Sequence, residues 1–314
     1  MASYLVKRLL RSLLTLLIIL SIVFVLVRMM PIEGYFQNYE KMSEAEIQNG
    51  LHQMGLDQPI IVQLFNFFKD LILHGDLGVS RIYRQNVAVT EILAPKVPLS
   101  IKLGGLSLLL SMLIGLPMGT IMAKNKGRFF DHLGTAFIVL IEAVPAAVYY
   151  LFIQLYGIQL LHIGIRFDES NAVTWILPVF SMSLGNIAYY AMWLRRYMVD
   201  EMNKDYVMLG RIKGASESRI MFKHVFRNAF VPMAQYLPTS FLNTVIGSIY
   251  IESLYSIPGM GGLLVDVVKR QDNNMVLGIV LLYASVGVIG LLLGDLLMVI
   301  FDPRISLTKK GGDR

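Results

Sequence analysis

The sequence has no cysteine among its 314 residues, which excludes disulfide bonds and thiolate metal sites. Its five histidines are scattered, without the HExxH spacing of a zinc protease, and no nucleophile elbow is present. The glycine-rich stretch 256–262 lacks the lysine and hydroxyl residue of a phosphate-binding loop, so we interpret it as a turn. We therefore expect no enzymatic activity in this chain.

Charged residues are also scarce, at 16% against 55% hydrophobic residues, and the mean hydropathy of +0.59 is too high for an ordinary soluble domain. A helix needs about 20 residues to cross about 30 Å of hydrocarbon. Six apolar runs are long enough: 12–30, 103–123, 133–155, 173–194, 229–251 and 275–301. These runs lack the alternation of barrel strands, so the predicted fold is all-α, an integral membrane bundle of six transmembrane helices.

The distribution of lysine and arginine predicts the orientation of these helices. Lys7, Arg8 and Arg11 precede the first run, and no small-residue cleavage site follows it, so we interpret the run as an uncleaved first span. Basic residues are again concentrated in segment 195–228 and after residue 303. The positive-inside rule then places both termini in the cytoplasm and explains the net charge of +6 without a nucleic-acid partner.

These features divide the chain into four predicted parts: an N-terminal segment with the first transmembrane helix (1–30), an extracytoplasmic segment (31–98), a core of five further transmembrane helices with the cytoplasmic loop 195–228 (99–304), and a cytoplasmic tail (305–314). The extracytoplasmic segment contains an apolar helical stripe within residues 60–73. That stripe is compatible either with the membrane surface or with packing against the bundle.

The polar segment 205–219, DYVMLGRIKGASESR, lies between two long apolar runs. Asp205 is placed to cap a short helix beginning at Tyr206, and Gly214 is placed to end it. Gly210 and Gly214 are four residues apart and would leave one face without side chains, which suits docking into a partner's groove. A solvated basic loop explains the same composition.

Several motifs in order give the chain a resemblance to a known family. YLVKRLL at 4–10, GLDQPI at 55–60, GDLGVS at 75–80, the segment 205–228, the stretch 252–262 and the DPR at 302–304 together resemble the permease subunits of ABC importers for peptides and nickel, in particular the first permease of an oligopeptide-type system. The resemblance implies a type I ABC importer permease fold. It implies half of an ATP-driven translocation pathway for oligopeptides or dipeptides in the cell membrane.

The resemblance also implies partners. They are a second homologous permease subunit, two ABC ATPase subunits that carry ATP and Mg²⁺, and an extracytoplasmic substrate-binding protein; no cofactor is expected in this chain. The residues that would couple to the ATPase are Asp205, Tyr206, Gly210, Lys213, Gly214, Ala215 and Arg219. A nickel chelate or a glycan fragment would suit the same family as substrate. A secondary transporter, one alternative, would leave the basic loop unexplained. A membrane-embedded enzyme or assembly scaffold, the other alternative, would need a cluster of histidine or acidic residues at one depth, and the sequence shows none.

Two features are candidates for lining the pathway. Tyr236, Ser240 and Asn243 are spaced four and three residues apart and form a polar helical stripe, which fits either the pathway or close helix packing. Glu142 lies inside an apolar run, where an acidic residue costs about 2.5–3.5 kcal/mol. It is expected to face a wet cavity that attracts a peptide amino group or to belong to a buried structural pair.

Overall fold

A computed structural model describes the backbone of residues 2–36, 38–162, 164 and 166–301, and their side chains except those of 2–8, 235, 246–247 and 295–301. The described part is built from helices and loops. The α-helices are α1 (Ala2–Arg28), α2 (Glu44–Gln53), α3 (Ile60–His74), α4 (Val89–Leu93), α5 (Val97–Lys124), α6 (Phe129–Ala143), α7 (Ala146–Leu161), α8 (Val173–Met202), α9 (Asp205–Ile212), α10 (Glu217–Arg219), α11 (Arg227–Leu254), α12 (Met260–Lys269) and α13 (Asn273–Phe301). A π-helical turn, Ile220–Phe226, joins α10 to α11. The predicted tail 305–314 lies outside the described residues.

Three stretches of the described chain are long and apolar enough to cross a membrane: Leu9–Arg28, Val89–Lys124 and Asn273–Gly294. They correspond to the first, second and sixth predicted spans, and the helical, membrane-embedded class of the fold is confirmed. Helices α8 and α11 have 30 and 28 residues and are long enough to span, but they are more polar than those three. The number six for the transmembrane helices stays a prediction.

The prediction of one continuous span over 133–155 is wrong. Helix α6 ends at Ala143, α7 begins at Ala146, and the two helices meet at an angle of 104°. Pro145 causes the break, because proline has no N–H to continue the ladder and its ring pushes the preceding residue out of the helical region. Val144 accordingly has φ −92° and ψ 127°. The pair forms either a broken span or a re-entrant loop.

The chain divides into two compact units. The smaller unit combines Val6–Ser100 with Pro258–Val288. Its core is formed by apolar side chains of α1, α4, α12 and the first half of α13, among them Phe24, Ile92, Leu263 and Met275, which are at most 3% exposed. Leu64 and Phe67 of α3 pack against this core, so the segment between the first two spans is folded onto its own unit.

A buried carboxylate fixes the loop 80–83 of the smaller unit. Asp272 is fully buried, and its Oδ2 accepts a hydrogen bond from the Ser80 hydroxyl at 2.6 Å and three more from the backbone N–H groups of residues 81–83 at 2.9–3.1 Å. Its Oδ1 accepts from the N–H of Met275 at 3.3 Å, which caps the first turn of α13. One side chain therefore orders a loop and begins a helix.

The larger unit is centred on Ile101–Ile257, and α8 packs there against α6, α7 and α11. Helix α5 approaches α8 closely at two glycines four residues apart. A Cβ on Gly115 would lie 2.9 Å from the carbonyl oxygen of Ile187, and one on Gly119 would lie 2.7 Å from that of Ala191. Small residues at this spacing let membrane helices approach backbone to backbone, and larger side chains would force α5 away.

Candidate functional site

The candidate site is the segment 204–226, in which the short helix α9 packs against the π-helical turn. The helix begins at Asp205, one residue earlier than predicted, and its N-cap is Lys204, which makes no side-chain capping bond. The prediction that Asp205 caps the helix is therefore wrong. Asp205 lies in the first turn instead, where its charge favours the helix N-terminus.

Gly214 ends α9 as predicted. Its φ of +75° lies in the left-handed region, which residues with a Cβ adopt at a cost. The N–H of Gly214 bonds to the carbonyl of Arg211 at 2.9 Å, and the N–H of Ala215 bonds to that of Gly210 at 3.1 Å. These two bonds form a Schellman motif, which turns the chain sharply after α9.

The structure does not place the two glycines on one open face. A Cβ on Gly210 would lie 3.5 Å from carbons of Ile220, which is 1% exposed, whereas one on Gly214 would meet no atom within 4 Å. Gly210 therefore faces the interior of the unit, and Gly214 lies beyond the end of the helix. The hypothesis of a face made smooth by both glycines is wrong. Gly214 has a left-handed backbone conformation, so it does not continue the helical spacing that would align it with Gly210.

The exposed surface of α9 is apolar, which the sequence analysis missed. Met208, Leu209 and Ile212 are 66%, 51% and 74% exposed. Residues 208 and 212 are one helical turn apart, so these three side chains share one side of the helix. A periodicity count over the eight residues of α9 would have found this pattern. Such a cluster on a polar segment is typical of a surface that a partner covers.

Two side chains hold α9 on the unit. Val207 is 1% exposed and belongs to a core formed by α8, the π-helical turn and α11. The Tyr206 hydroxyl donates to the Glu201 carboxylate near the end of α8, at 2.5 Å. Burial, together with that hydrogen bond, raises the pKa of Tyr206 to about 12, so the phenol remains a neutral donor at physiological pH. The base of α9 is anchored while its apolar side is open.

The remaining predicted coupling residues surround the turn after α9. Lys213 and Arg219 are exposed, while Ala215 is half-buried against the same core as Val207. Arg211 forms a two-point contact with Glu217, with Nε to Oε1 at 2.8 Å, across the turn. Apolar side chains on α9 are thus bordered by cationic groups.

An ion pair between a buried carboxylate and a half-buried arginine ties the start of α6 to α8. Arg195 contacts both carboxylate oxygens of Asp131, through Nε and through Nη2, the latter at 2.7 Å, and Asp131 also accepts from the N–H of Gly127 at 2.8 Å. Asp131 is 3% exposed. This pair fixes the turn before α6 to α8, the helix to which α9 is also bonded through Tyr206 and Glu201. The sequence carries no local signal for this pair, since Asp131 and Arg195 are 64 positions apart.

The predicted stripe on α11 is open to the surroundings of the chain. Tyr236 is 46% exposed, Asn243 is exposed and Ser240 is half-buried. Tyr250, seven residues after Asn243 and 64% exposed, extends the same face. Packing within the chain uses the neighbouring Thr244 instead, whose hydroxyl accepts from the Asn186 amide of α8 at 2.8 Å. Tyr236 and Asn243 therefore stay exposed within this unit, whereas Ser240 interacts with Tyr190 of α8.

Glu142 is exposed near the end of α6, two residues before the break. Among the residues that the structure describes, its side chain has no hydrogen-bond or ion-pair partner. The described residues also contain no cluster of three or more histidine or acidic side chains that would hold a metal ion.

Comparisons with known proteins agree with these features. Residues 115–307 match the model of the family described as binding-protein-dependent transport system inner membrane component, and residues 1–103 match the N-terminal model of such membrane components. The dipeptide transport system permease DppB of Bacillus subtilis is 31% identical, with 99% of this chain and all of that protein covered. The oligopeptide permease OppB of Haemophilus influenzae is 30% identical over 97% of this chain and 99% of its own length.

The match to the oligopeptide permease AmiC of Streptococcus pneumoniae is 35% identical and covers 67% of this chain, which spans only 42% of that longer protein. Among solved structures, the MetNI methionine ABC transporter in an inward-facing conformation has a TM-score of 0.55 at 13% identity, covering 68% of this chain and 97% of its own. An amino acid ABC transporter has a TM-score of 0.51 at 16% identity, covering 69% and 95%. Both likenesses show the fold.

Proposed function

Because this chain belongs to the family of binding-protein-dependent transport system inner membrane components, we propose that it is the permease subunit of an ATP-driven peptide importer. It forms half of the translocation pathway, and a second homologous permease forms the other half. Relatives of nearly the same length at about 30% identity are named dipeptide and oligopeptide permeases, and this supports peptides as the substrate class.

The observation that carries the coupling role is the open apolar side of α9 on an anchored base. Met208, Leu209 and Ile212 offer a surface for a groove in a cytoplasmic ATPase. ATP and Mg²⁺ bind on two such subunits. Movement of the ATPase reaches α8 through Val207 and the Tyr206–Glu201 hydrogen bond, and it shifts the permease between outward-facing and inward-facing states.

This role places α9 and both termini in the cytoplasm and the segment 31–98 outside, where an external binding protein delivers substrate. The absence of cysteine makes this orientation testable in intact cells. A cysteine at the exposed Asn49 should react with an impermeant thiol reagent, and one at the exposed Ser218 should not. Labelling of Ser218→Cys in sealed cells would reverse the proposed orientation.

The exposed stripe on α11 and the carboxylate of Glu142 are proposed to line the pathway. Polar groups on the outside of a membrane helix need water or a polar partner, and a pathway between two permeases supplies both. Glu142→Gln should lower the uptake of peptides with a free amino terminus more than that of N-blocked peptides. Equal uptake of both by an assembled complex would remove Glu142 from the pathway.

Substitutions on α9 test the coupling role directly. Met208→Asp places a charge on the apolar side of α9 without touching the core, and Gln48→Asp places the same charge on an exposed residue of α2, outside the candidate site. We expect Met208→Asp to lower both peptide uptake and substrate-stimulated ATPase activity by tenfold or more, about 1.4 kcal/mol of docking energy, and Gln48→Asp to change neither. Wild-type activity of an assembled Met208→Asp complex would reject the docking role.

A further inference from the structure

Helix α3 of the smaller unit exposes an apolar stripe although its other side already packs against the core. Ile61, Phe65 and Ile72 are 76%, 69% and 73% exposed. They are four and seven residues apart, so their side chains lie along one line of the helix. Leu64 and Phe67, on a neighbouring side, contact the core of the unit. The stripe is therefore free surface that burial of α3 does not explain.

The position of α3 along α1 gives the depth of this stripe. The ring of Phe67 packs on the ring of Phe24 in α1, with centroids 5.2 Å apart. Phe24 is four residues before Arg28, where the apolar span of α1 ends, and at 1.5 Å per residue this is about 6 Å along the helix axis. Helix α3 therefore lies beside the last turns of a membrane-spanning helix.

The end of α1 has the side chains of a membrane–water boundary. The Arg28 guanidinium donates to the Tyr35 hydroxyl at 2.8 Å and lies over the ring of Phe24 at 4.8 Å. Arginine and tyrosine favour this depth because each joins an apolar body to a polar tip. The contact of Phe67 with Phe24 places α3 at the same level.

The polar side of α3 points away from the stripe. Asp70 is exposed and follows Ile61 by nine residues, about two and a half turns, so it lies on the opposite side of the helix. Asn66 is also exposed on that side, whereas the exposed Lys69 is one turn after Phe65 and borders the stripe, where its long stem can reach from the apolar region to the polar headgroups. A helix with one polar side, one apolar side and a place at the boundary has the properties of an interfacial membrane helix.

We propose that α3 lies in the membrane interface at the Arg28 end of α1, with Ile61, Phe65 and Ile72 buried in the acyl region of that leaflet. The occupant of the stripe is lipid, because the packing of Phe67 on Phe24 holds α3 beside the last turns of a membrane-spanning helix, at the depth where acyl chains meet the interface. The helix then supports the loop between the first two spans. This inference does not depend on which solute is transported.

Spin labels on single cysteines test this position, and the chain has no native cysteine to remove. Labelled Phe65→Cys and Ile72→Cys are compared with labelled Asp70→Cys in the full chain, assembled with its partner subunits in vesicles of phosphatidylethanolamine and phosphatidylglycerol. All three positions are exposed, so the label should not disturb folding. The measurement is the relaxation of each label by oxygen, which concentrates in lipid, and by a nickel chelate, which stays in water.

We expect oxygen to dominate at residues 65 and 72 and the nickel chelate to dominate at residue 70. Domination by the nickel chelate at all three positions would show that the stripe faces water, and it would overturn the proposal. Exclusion of both reagents from residues 65 and 72 would show that another protein covers the stripe, which would also overturn it. A failure of peptide transport in the same vesicles would leave these readings unchanged.

Discussion

Asp131 in the larger unit and Asp272 in the smaller unit are both buried carboxylates, but their negative charges are balanced in different ways. Asp131 receives two hydrogen bonds from the Arg195 guanidinium and one from the N–H of Gly127. Asp272 receives its bonds from a serine hydroxyl and from successive backbone N–H groups. One site uses a cation, and the other uses oriented neutral dipoles.

The difference determines which substitutions can be compensated. A buried ion pair can be replaced as a pair, because removing both charges leaves nothing uncompensated. A nest of backbone N–H groups cannot be removed by any side-chain substitution, so a change at Asp272 that removes the acceptor oxygen leaves these donors without an acceptor. The stability of the smaller unit should therefore depend on the residue at position 272 alone. The stability of the larger unit should depend on whether the charges at positions 131 and 195 balance.

The largest effect is expected at Asp272. Asp272→Ala leaves the Ser80 hydroxyl and the N–H groups of residues 81–83 without their acceptor and should destabilise the smaller unit by about 4 kcal/mol. Hydrogen exchange should show loss of protection at amides 81–83, and the apparent melting temperature of the complex should fall. Asp266→Ala, at an exposed ion pair with Arg270, is the control. Equal destabilisation by Asp272→Ala and Asp266→Ala would contradict the expectation that a buried carboxylate contributes more to stability than an exposed one.

At the other carboxylate, Arg195→Met should destabilise the protein by about 3 kcal/mol, because it leaves the Asp131 charge buried. Adding Asp131→Asn should recover most of that loss, since the amide is uncharged and its oxygen still accepts from Gly127. Arg196→Met, at the adjacent position, is the matched control. Thermal unfolding of the wild type, Arg195→Met, Asp131→Asn and the double variant completes the cycle. A double variant no more stable than Arg195→Met alone would show that the pair does not act through charge.

The end of α9 contrasts with both carboxylate sites, because backbone conformation rather than a buried charge fixes the chain there. Gly214→Ala should cost about 1 kcal/mol, since a residue with a Cβ is strained in the left-handed conformation. Gly210→Ala should instead stabilise α9 by up to about 1 kcal/mol, because the new Cβ meets Ile220 at an ordinary contact distance of 3.5 Å. Melting temperatures shifted in the same direction by both substitutions would contradict the assigned geometry.

The smallest effect is expected at the exposed pair of His52 and Asp57, whose Nδ1 and Oδ2 are 2.6 Å apart. The hydrogen bond and charge of Asp57 raise the pKa of His52 above its usual 6.5. The stabilisation is therefore complete below pH 6.5 and is lost as the pH rises through the higher pKa of the folded state. His52→Gln should lower the melting temperature slightly at pH 6 and not at pH 9. A melting-temperature difference between wild type and His52→Gln that grows with pH would contradict stabilisation by the protonated His52.

The sequence predicted features that follow from local composition. Apolar runs gave the helical, membrane-embedded class, and the left-handed Gly214 was predicted as the end of α9 because glycine is suited to that conformation. The break after Ala143 was predictable from Pro145, but the apolar run on either side outweighed that signal. The six-span count and the coupling and pathway roles remain predictions and proposals.

What the sequence alone determined is the kind of protein, because hydrophobic runs and the ordered motifs are properties of the chain itself. Only the tertiary structure decided which side chains meet. Asp272 lies about 190 positions from the loop it holds, and the exposed side of α9 follows from Val207 and Gly210 facing the interior. Burial and long-range pairing depend on how helices pack, and one sequence carries no direct record of that packing.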